Sequence, residues 1–461
     1  MKAFTSLLRG TKSSPSSVTP NKPGDGASGA PEESLDTSDD GDRSPLREFP
    51  TTGFDVLDKT EKVEEEAYSW YSVKDFYPAS IGEVFKSGAG TYQVICKLGY
   101  GSASTTWLCR DLRNHRYVTV KIYAAGQGQI DREVAALKHL GSVLSAEPRV
   151  KHLGAKHVRT LLDQFELSRT KSSKKNLCLV FEPLGMSLAE TRRVVFGGQM
   201  PIRLVKGMVF YMLQALDFLH RKAGMVHGDF QEDNIMMAIN DPSELKEIED
   251  EELSDPSPRK VYKDHTIYAT RLLELQPTLP VLCDFGEARF GSETYGEHAM
   301  PDLHRAPEIL LRVEWNEKID IWALGLVTWT LVQGNNLFTD NEGGRWKSAL
   351  PHMARTISLL GPPPQELLDL TPVTKEFFDK DGKLKKGQPI PETSLEEELT
   401  ALEGERKVKF LKFIRRILQW DQDKRPSALE LLKDPWLQPA PEDDSDDEEE
   451  EEEEEEEGVD R

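Results

Sequence analysis

Cysteine is scarce in this chain of 461 residues, which contains four. Cys96, Cys109, Cys178 and Cys283 each lie in an apolar, strand-like run, and no pair has C-x-x-C spacing. A disulfide framework or a cysteine-ligated zinc site needs paired or clustered cysteines. The pattern therefore predicts four buried free thiols in a protein of a reducing compartment.

Long apolar runs and an excess of positive charge are also missing. The longest apolar run covers residues 321–332 and, at about twelve residues, is too short to cross a bilayer. The chain has 58 Lys and Arg against 80 Asp and Glu, a net charge of −22. Nucleic-acid binding needs clustered Lys and Arg for phosphate contacts. We therefore predict no membrane span and no direct contact with nucleic acid.

The two ends of the chain differ in composition from its middle. Residues 1–66 are rich in Ser, Pro, Gly and Asp and lack periodic apolar positions, which predicts a disordered N-terminal arm. The first 24 residues carry four Lys or Arg and no acid, so a transit peptide is the alternative for that stretch.

Residues 441–461 are predicted to form a disordered acidic tail. Fifteen acids lie between Glu442 and Glu457, which leaves a net charge of about −7 on the rest of the chain. Such a run repels itself and cannot bury surface. It either solubilises the protein or attracts or mimics something basic.

One short stretch carries candidate catalytic chemistry. It follows an apolar segment with helical periodicity, runs from His227 to Asn234, and places Asp229 five positions before Asn234. An Asp and an Asn at this spacing put a base for a hydroxyl beside a ligand for magnesium. Asp284 of an Asp-Phe-Gly triplet follows a short strand-like run, where it can hold a metal ion that bridges nucleotide phosphates.

The segment upstream has the pattern of a nucleotide site. Two β-rich runs flank Gly99-Tyr100-Gly101, and glycine lets the backbone of such a turn approach phosphates closely. A plain β-hairpin turn is the alternative interpretation. Lys121 lies among apolar residues of the next predicted strand, where a buried ammonium needs an anionic partner. Glu133, on a predicted helix over residues 130–140, is the acid expected to pair with it.

From about residue 71 to residue 437 the chain resembles eukaryotic protein kinases, and within them the SR-protein kinase branch of the CMGC group. The kinase resemblance rests on the stretches above together with Ala306-Pro307-Glu308 and with Arg425, which the resemblance implies is the partner of Glu308. The branch resemblance rests on Lys97-Leu98-Gly99-Tyr100-Gly101, Ser104-Thr105-Thr106-Trp107-Leu108, Val180-Phe181-Glu182-Pro183-Leu184-Gly185 and Leu360-Gly361-Pro362-Pro363.

The resemblance implies an α+β, two-lobed fold. A small β-rich N-lobe is expected over about residues 67–184, and a larger, mainly helical C-lobe over about residues 185–440. Two insertions, at about 241–270 and 362–403, are assigned to the larger lobe.

The resemblance also implies a role for each site residue. The catalytic set comprises Asp229 as base, Gln231, and Lys121 fixed by Glu133 to orient the α and β phosphates of ATP. Mg²⁺ is expected on Asn234 and Asp284. The implied nucleotide contacts are Leu98, Gly99, Tyr100, Gly101, Ser102, Ser104, Thr106, Lys121, Phe181, Glu182, Leu184 and Met236.

Three positions depart from the kinase pattern, of which Ser104, in place of a third glycine, is shared by the SR-protein kinase branch. Gln231 stands where the family usually has a lysine that contacts the γ phosphate. Its amide can still donate a hydrogen bond, but the positive charge of the lysine is missing. Gly228 replaces the usual arginine before the base, which removes a cation for a phosphorylated activation loop. Activity is therefore predicted not to depend on phosphorylation of Ser292, Thr294 or Tyr295.

Two other functions are weighed against a protein kinase. Small-molecule phosphotransferases of the aminoglycoside and choline kinase type share the His-Gly-Asp and Asn pattern, but they lack the segment around Glu308 that grips a polypeptide. A nucleotide-binding pseudokinase scaffold is the second alternative, and Gln231 is the residue that favours it. The otherwise intact catalytic set opposes it.

The expected substrate is a serine within an Arg/Ser-rich protein, because the resembled branch phosphorylates such tracts and the chain is acidic even without its tail. One hypothesis is that the acidic tail occupies the groove for this basic substrate and competes with it. A monomer is the default expectation. A cytoplasmic location with nuclear exchange is inherited from the family.

Overall fold

The computed structural model describes residues 43–126, 130–146, 152–169, 174–271, 273, 278–339, 349–370, 373–379, 382–385 and 389–438. The predicted acidic tail and most of the predicted N-terminal arm lie outside these residues. The strands are β1 Val84–Lys86, β2 Thr91–Gly101, β3 Ser104–Asp111, β4 Arg116–Tyr123, β5 Asp163–Ser168, β6 Lys175–Phe181, β7 Leu184–Ser187, β8 Met225–Val226, β9 Ile235–Ala238, β10 Arg259–Val261, β11 Thr266–Tyr268, β12 Pro280–Leu282 and β13 Arg289–Phe290.

The α-helices range from single turns to seventeen residues. They are α1 Ile130–Ala146, α2 Leu188–Val194, α3 Ile202–Asp217, α4 Pro242–Ser254, α5 Pro307–Leu310, α6 Lys318–Gln333, α7 Ala349–Leu360, α8 Gln365–Asp369, α9 Thr374–Phe377, α10 Leu395–Glu398, α11 Gly404–Ile417 and α12 Ala428–Leu431. Among these helices, none combines the length and apolar composition needed to cross a membrane.

The chain divides into two compact units, which are described separately. Unit 1 comprises the described residues of Met1–Ala124, Asp163–Val180 and Asp241–Arg271. Unit 2 comprises those of Ala125–Leu162, Phe181–Asn240 and Leu272–Arg461.

Unit 1 is built on a sheet of six strands in the order β1-β2-β3-β4-β6-β5. Its longest strands read as apolar runs with many β-branched residues, which suit a pleated surface covered by other chain segments. Val94, Leu108 and Val118 have no exposed surface.

Cys96, Cys109, Cys178 and Cys283 are all buried and free, as the sequence predicts.

The acidic insertion belongs to unit 1, so its assignment to the larger lobe is wrong. Its helix α4 begins after the N-cap Asp241, whose side chain accepts from the backbone N–H of Ser243, with Pro242 in the first turn. Glu249 of α4 is buried, and it accepts a hydrogen bond from the Tyr117 hydroxyl of β4 at 2.6 Å. The arginine of β3, Arg110, lies 3.3 Å from the same carboxylate. An acidic residue of the insertion thus pairs with residues of the six-stranded sheet, and spacing in the sequence does not reveal this pairing.

Residues 43–66 are also ordered within unit 1, so the predicted limit of the disordered arm at residue 66 is wrong. Backbone hydrogen bonds join Leu57 to Arg259 and Arg259 to Asp55, both at 3.0 Å. A buried lysine of β2, Lys97, forms ion pairs with Glu64 at 3.2 Å and with Glu65. Burial of a charged side chain is tolerated when opposite charges compensate it, and these acids supply that compensation.

Helix α1 clusters with unit 2, although the sequence placed it in the smaller lobe. Its Arg132 forms an ion pair with Glu287 at 2.8 Å. Its His139 stacks on the ring of Phe290 with 4.5 Å between centroids, and a ring nitrogen lies 2.7 Å from the carbonyl oxygen of Ala223. These contacts hold the helix to the segment that follows Asp-Phe-Gly.

The core of unit 2 surrounds helix α6, which is buried on every side. Gly325 of α6 lies against α11, since a Cβ there would come within 2.5 Å of Ile417. A small sheet in the order β12-β9-β7 holds the residues that follow the predicted catalytic stretch. The described parts of the second insertion form helices α8, α9 and α10, and Leu367, Leu368 and Phe377 enter an apolar cluster with Leu310.

A buried ion pair joins two distant segments of unit 2. The guanidinium of Arg425 donates to the carboxylate of Glu308 through two bonds of 2.5 and 2.7 Å, and both side chains are almost fully buried. Such a bidentate pair fixes the relative orientation of both partners. The pairing predicted from the sequence is confirmed.

We predict that Arg425→Met lowers the free energy of unfolding by about 3–5 kcal/mol, because it leaves Glu308 buried without its charge partner. Urea unfolding followed by far-UV circular dichroism measures this change. Lys409→Met, which breaks the exposed pair with Glu405, serves as the control and should change stability by less than about 1 kcal/mol. Equal stability of both variants would contradict the structural role of Arg425.

Candidate active site

The predicted catalytic stretch forms a hydrogen-bonded loop in unit 2. The carboxylate of Asp229 accepts from the side-chain amide of Gln231 at 2.9 Å and from that of Asn234 at 2.7 Å. Asn234 also donates to the backbone carbonyl of Asp229 at 2.8 Å. A short 3₁₀ turn over Glu232–Asn234 brings Asn234 back to the aspartate. The five-residue spacing read from the sequence therefore produces direct contact.

The environment of Asp229 suits a proton acceptor. Burial raises the pKa of its carboxyl to about 6, and repulsion from Asp284 adds to this rise. Attraction to His227 and the hydrogen bonds from Asn234 and Gln231 oppose it. A carboxylate whose pKa lies closer to neutrality is a stronger base than an exposed aspartate and is still ionised at physiological pH.

A buried carboxylate on helix α6 fixes the loop backbone. Asp320 accepts from the backbone N–H groups of His227 at 2.8 Å and Gly228 at 2.9 Å. A ring nitrogen of His220 lies 2.9 Å from the same carboxylate. Burial acts to raise the pKa of Asp320, but the bond from His220 and the other positive and donor groups outweigh it and hold the pKa low.

His227 links the loop to the Asp-Phe-Gly segment. A nitrogen of its ring lies 3.0 Å from the carbonyl oxygen of Cys283, and its ring packs edge-to-face on Phe285 at 5.2 Å. Strand β9, directly after Asn234, pairs antiparallel with β12, directly before Cys283. The structure thus brings Asp229, Asn234 and Asp284 into one part of unit 2.

The donor atoms of this region fit a hard divalent cation. Asp284 adopts a left-handed backbone conformation, with φ of 60°, which is uncommon outside glycine and often marks functional sites. Asn234 uses its amide nitrogen toward Asp229, which leaves its side-chain oxygen as a ligand atom. Within the described residues no cluster of three or more His, Cys, Asp or Glu side chains is arranged for a metal. Two protein oxygen ligands completed by phosphates and water are the usual setting for Mg²⁺.

The predicted adenine-binding segment also lies in unit 2. Phe181 is buried, and the guanidinium of Arg159 lies 4.3 Å from its ring centroid. Arg159 also donates to the backbone carbonyl of Glu182 at 3.5 Å. Met236 of β9 lies opposite Ser187 of β7, the strand that begins at Leu184. Arg159 was missed by sequence reasoning, because only the fold brings it to this segment.

The glycine-rich turn lies in unit 1, where β2 and β3 pair from Gly99 opposite Thr106 to Gly101 opposite Ser104. A Cβ on Gly99 would meet no described atom within 4 Å, and neither Gly99 nor Gly101 has a positive φ. Packing inside the protein therefore does not require these glycines. Close approach of a ligand, predicted from the sequence, is compatible with the open space at Gly99.

An aromatic contact supports this turn, and sequence reasoning missed it. The indole N–H of Trp70 donates to the backbone carbonyl of Ser102 at 3.0 Å. The Trp70 ring stacks on Tyr68 at 5.1 Å, and Tyr68 meets Tyr100 edge-to-face at 6.1 Å. We term Tyr68, Trp70 and Tyr100 the aromatic clamp. The aromatic content of residues 69–77 was the feature of the sequence that could have indicated this contact, but it does not reveal that the glycine-rich turn is the partner.

The remaining predicted residues are divided between the units. Lys121 of β4 lies opposite Thr106 in the sheet of unit 1, and its ammonium lies 4.8 Å from the ring centroid of Tyr123. Glu133 is buried on α1 of unit 2. The pairing of Lys121 with Glu133 stays a prediction, as do the nucleotide contacts.

Comparison with known proteins gives a consistent result. A family model described as the protein kinase domain matches residues 92–437. A serine/threonine protein kinase of Aspergillus fumigatus is 38% identical over 400 residues, which cover 86% of this chain and 95% of that protein. A relative named serine/threonine-protein kinase SRPK, from Physarum polycephalum, is 25% identical and covers 82% of this chain and 92% of its own length.

A solved structure shows the same fold. The crystal structure of the PF14_0431 kinase domain superimposes with a TM-score of 0.60 at 24% identity, and the match covers 79% of this chain and 99% of that one. The α+β kinase fold predicted from the sequence is therefore confirmed.

We predict that Trp70→Ala weakens binding of a fluorescent ATP analogue about three- to tenfold, because one hydrogen bond to the glycine-rich turn and one aromatic stack are lost. Trp70→Phe removes the hydrogen bond and should show part of this loss. Phe210→Ala, at an exposed position of unit 2, is the control. Unchanged affinity in both Trp70 variants would show that the aromatic clamp has no role in nucleotide binding.

Proposed function

This chain belongs to the protein kinase family and is a serine/threonine protein kinase that uses ATP and a divalent metal, and from that premise we propose its substrate. We propose that it transfers the γ-phosphate of ATP, with Mg²⁺, to serines of Arg/Ser-rich proteins. The observation that carries the proposal is an exposed acid inside the catalytic loop, Asp233, four residues after the base.

The chemistry proposed for unit 2 follows from its hydrogen bonds. Asp229 accepts the proton of the substrate hydroxyl as that oxygen attacks the γ phosphate, and the bond from Asn234 fixes the carboxylate in place. Asn234 and Asp284 would hold Mg²⁺, which neutralises charge on the phosphates. Lys121 and the glycine-rich turn of unit 1 are proposed to bind the phosphates. No covalent enzyme intermediate is required.

Gln231 preserves part of the missing lysine's contribution. Its amide donates to Asp229 at 2.9 Å, so it helps to orient the base. A neutral amide carries no charge toward the γ phosphate, however, and a preorganised electrostatic contact is commonly worth roughly 10² to 10³ in kcat. We therefore propose that this protein is a functional but slow kinase. Measurable phosphate transfer, rather than ATP binding, would distinguish it from a pseudokinase scaffold.

Acidic side chains around the loop support a basic substrate. Glu232 is neutralised by Arg192 at 2.7 Å, whereas Asp233 makes no ion pair with another described residue. Glu293 is exposed on the segment after Asp-Phe-Gly, and Glu314 is exposed just beyond helix α5. Negative potential raises the encounter rate with a cationic peptide and selects against acidic peptides. The relative named SRPK is consistent with this specificity.

The stretch between Asp284-Phe285-Gly286 and Ala306-Pro307-Glu308, which we term the activation segment, makes contacts through unmodified side chains and backbone groups. Tyr295 and Trp315 exchange two backbone hydrogen bonds of 2.8 and 2.9 Å, and their rings pack at 4.9 Å. The indole of Trp315 also donates to the carbonyl of Glu297 at 2.8 Å, and Glu297 pairs with Arg289. These contacts order the segment through groups that the unmodified chain already carries.

The backbone conformation at Gly228 disfavours a phosphate-binding arginine at this position before the base. Its φ is 77°, and a Cβ there would come within 2.7 Å of the backbone carbonyl oxygen of Glu287. Any side chain at this position would be strained and would displace backbone. A monomeric state, which is the default expectation, and a cytoplasmic location with nuclear exchange, which the family resemblance supports, complete the proposal.

We predict that phosphatase treatment leaves most of the kinase activity intact, because the segment is ordered by contacts that need no phosphate. The measurement is turnover before and after treatment, with mass spectrometry to confirm that Ser292, Thr294 and Tyr295 are unmodified. Trp315→Ala, which removes the packing on Tyr295, should reduce turnover in either state. Loss of most activity on dephosphorylation would reject the prediction.

We predict that an Arg-Ser repeat peptide is phosphorylated with a higher kcat/KM than Ser-Pro or acidic peptides. Asp229→Ala should abolish transfer to all of them, since the base is gone. Asp233→Asn should reduce kcat/KM for the Arg-Ser peptide about three- to tenfold, mainly through KM, because one charge that faces a basic substrate is lost.

The Ser-Pro peptide provides the matched control, and Asp233→Asn should leave its kcat/KM unchanged. Transfer to another peptide class, abolished by Asp229→Ala, would refute the Arg/Ser proposal and retain the kinase. Magnesium-dependent ATP binding without transfer to any peptide would favour a scaffold or a small-molecule substrate.

A further inference from the structure

A basic groove lies on the outer side of helix α11. Helix α11 is distant in sequence from the predicted catalytic loop. Its inner face is buried through Phe410, Phe413, Ile414 and Ile417. The groove occupies about 810 Å³. Its charged lining consists of five cations and one acid, which are Lys407, Lys412, Arg415, Arg416, Lys424 and Glu396.

Local carboxylates neutralise only part of this charge. Glu396 pairs with Arg415 at 2.5 Å, Asp434 pairs with Arg416, and Asp421 lies 3.7 Å from the exposed Lys424. Lys412 is exposed and makes no ion pair with another described residue. The groove therefore keeps a positive potential that would attract an anionic chain segment.

The described chain ends four residues after Asp434, whose carboxylate pairs with the groove residue Arg416. The ring of Trp436 stacks on Phe413, on the inner face of α11, with 4.5 Å between centroids, which holds this end of the described chain against the helix. Glu442 follows the last described residue, Gln438, by four positions, a span of at most about 14 Å. Helix α11 is about 21 Å long, so the run to Glu457 has ample length to follow it.

We propose that residues 442–457 dock on this groove of α11 within the same molecule. The covalent connection keeps the tail at a high effective concentration beside the groove, so weak individual contacts suffice. Acidic side chains meet the cations, while their methylene groups can lie on Val408, which is 65% exposed. An acidic groove for a basic peptide would instead repel this run, which disfavours the hypothesis that the tail competes there with substrate.

Zero-length carbodiimide cross-linking of the full chain tests the docking, because it joins carboxylates and lysines only when they are in contact. Mass spectrometry of the monomer should show links from residues 442–457 to Lys407, Lys412 and Lys424. These links should decline at about 0.5 M salt, where exposed charges are strongly screened.

Lys412→Glu is the decisive variant. The quantity measured is the yield of cross-links from residues 442–457 to Lys407 and Lys424, whose amines remain in this variant. That yield should fall roughly three- to tenfold, since an attractive charge becomes repulsive. Lys409→Glu changes the same charge on the same helix outside the groove lining and is the matched control. A parallel fall in both variants would refute the specific groove.

Lysine acylation gives an independent measurement. Deleting residues 439–461 should increase the labelling rate of Lys412 and leave that of Lys409 unchanged, with thermal unfolding used to confirm that the shortened chain is folded. Equal labelling of Lys412 in both proteins would overturn the proposal. Cross-links confined to dimers would also overturn it, because they would place the tail on a second copy.

Discussion

The carboxylate of Asp320 receives two consecutive backbone N–H groups of the catalytic loop, those of His227 and Gly228. Convergence of successive N–H groups on one anion is favoured where one residue is left-handed, and Gly228 provides this with its φ of 77°. Because α6 is buried on every side, Asp320 has little freedom to move. The orientation of Asp229, the next residue, therefore depends on the core of unit 2.

This anchoring has a consequence for control of the enzyme. A left-handed glycine that lies against the Glu287 carbonyl leaves no room for the arginine that would bind a phosphorylated activation segment. The segment must then be ordered by other means, which the Tyr295 and Trp315 ladder and the Arg289–Glu297 pair supply. The missing arginine and the proposed independence from phosphorylation are thus linked through the backbone geometry of Gly228.

The sequence predicted the proximity of Asp229 and Asn234 from their five-residue spacing. It predicted the kinase fold and the Glu308–Arg425 pair through family resemblance, which rests on ordered motifs. It failed for residues 43–66 and 241–270, which have polar compositions typical of disordered or peripheral segments. Their order depends on partners such as Lys97 and Glu249 that lie far away in the sequence, and composition alone does not reveal such pairing.

Those same segments give unit 1 a second anchor. Lys97 lies two residues before Gly99, and its buried ammonium requires Glu64 and Glu65 of the N-terminal segment. A backbone carbonyl of the insertion, that of Tyr268, accepts from the same lysine at 3.2 Å. Removing either segment would leave this cation undercompensated at the base of the glycine-rich turn, a costly state in a dry interior. The chain beyond the six-stranded sheet is thus part of what positions the turn, and the aromatic clamp extends that support to its tip.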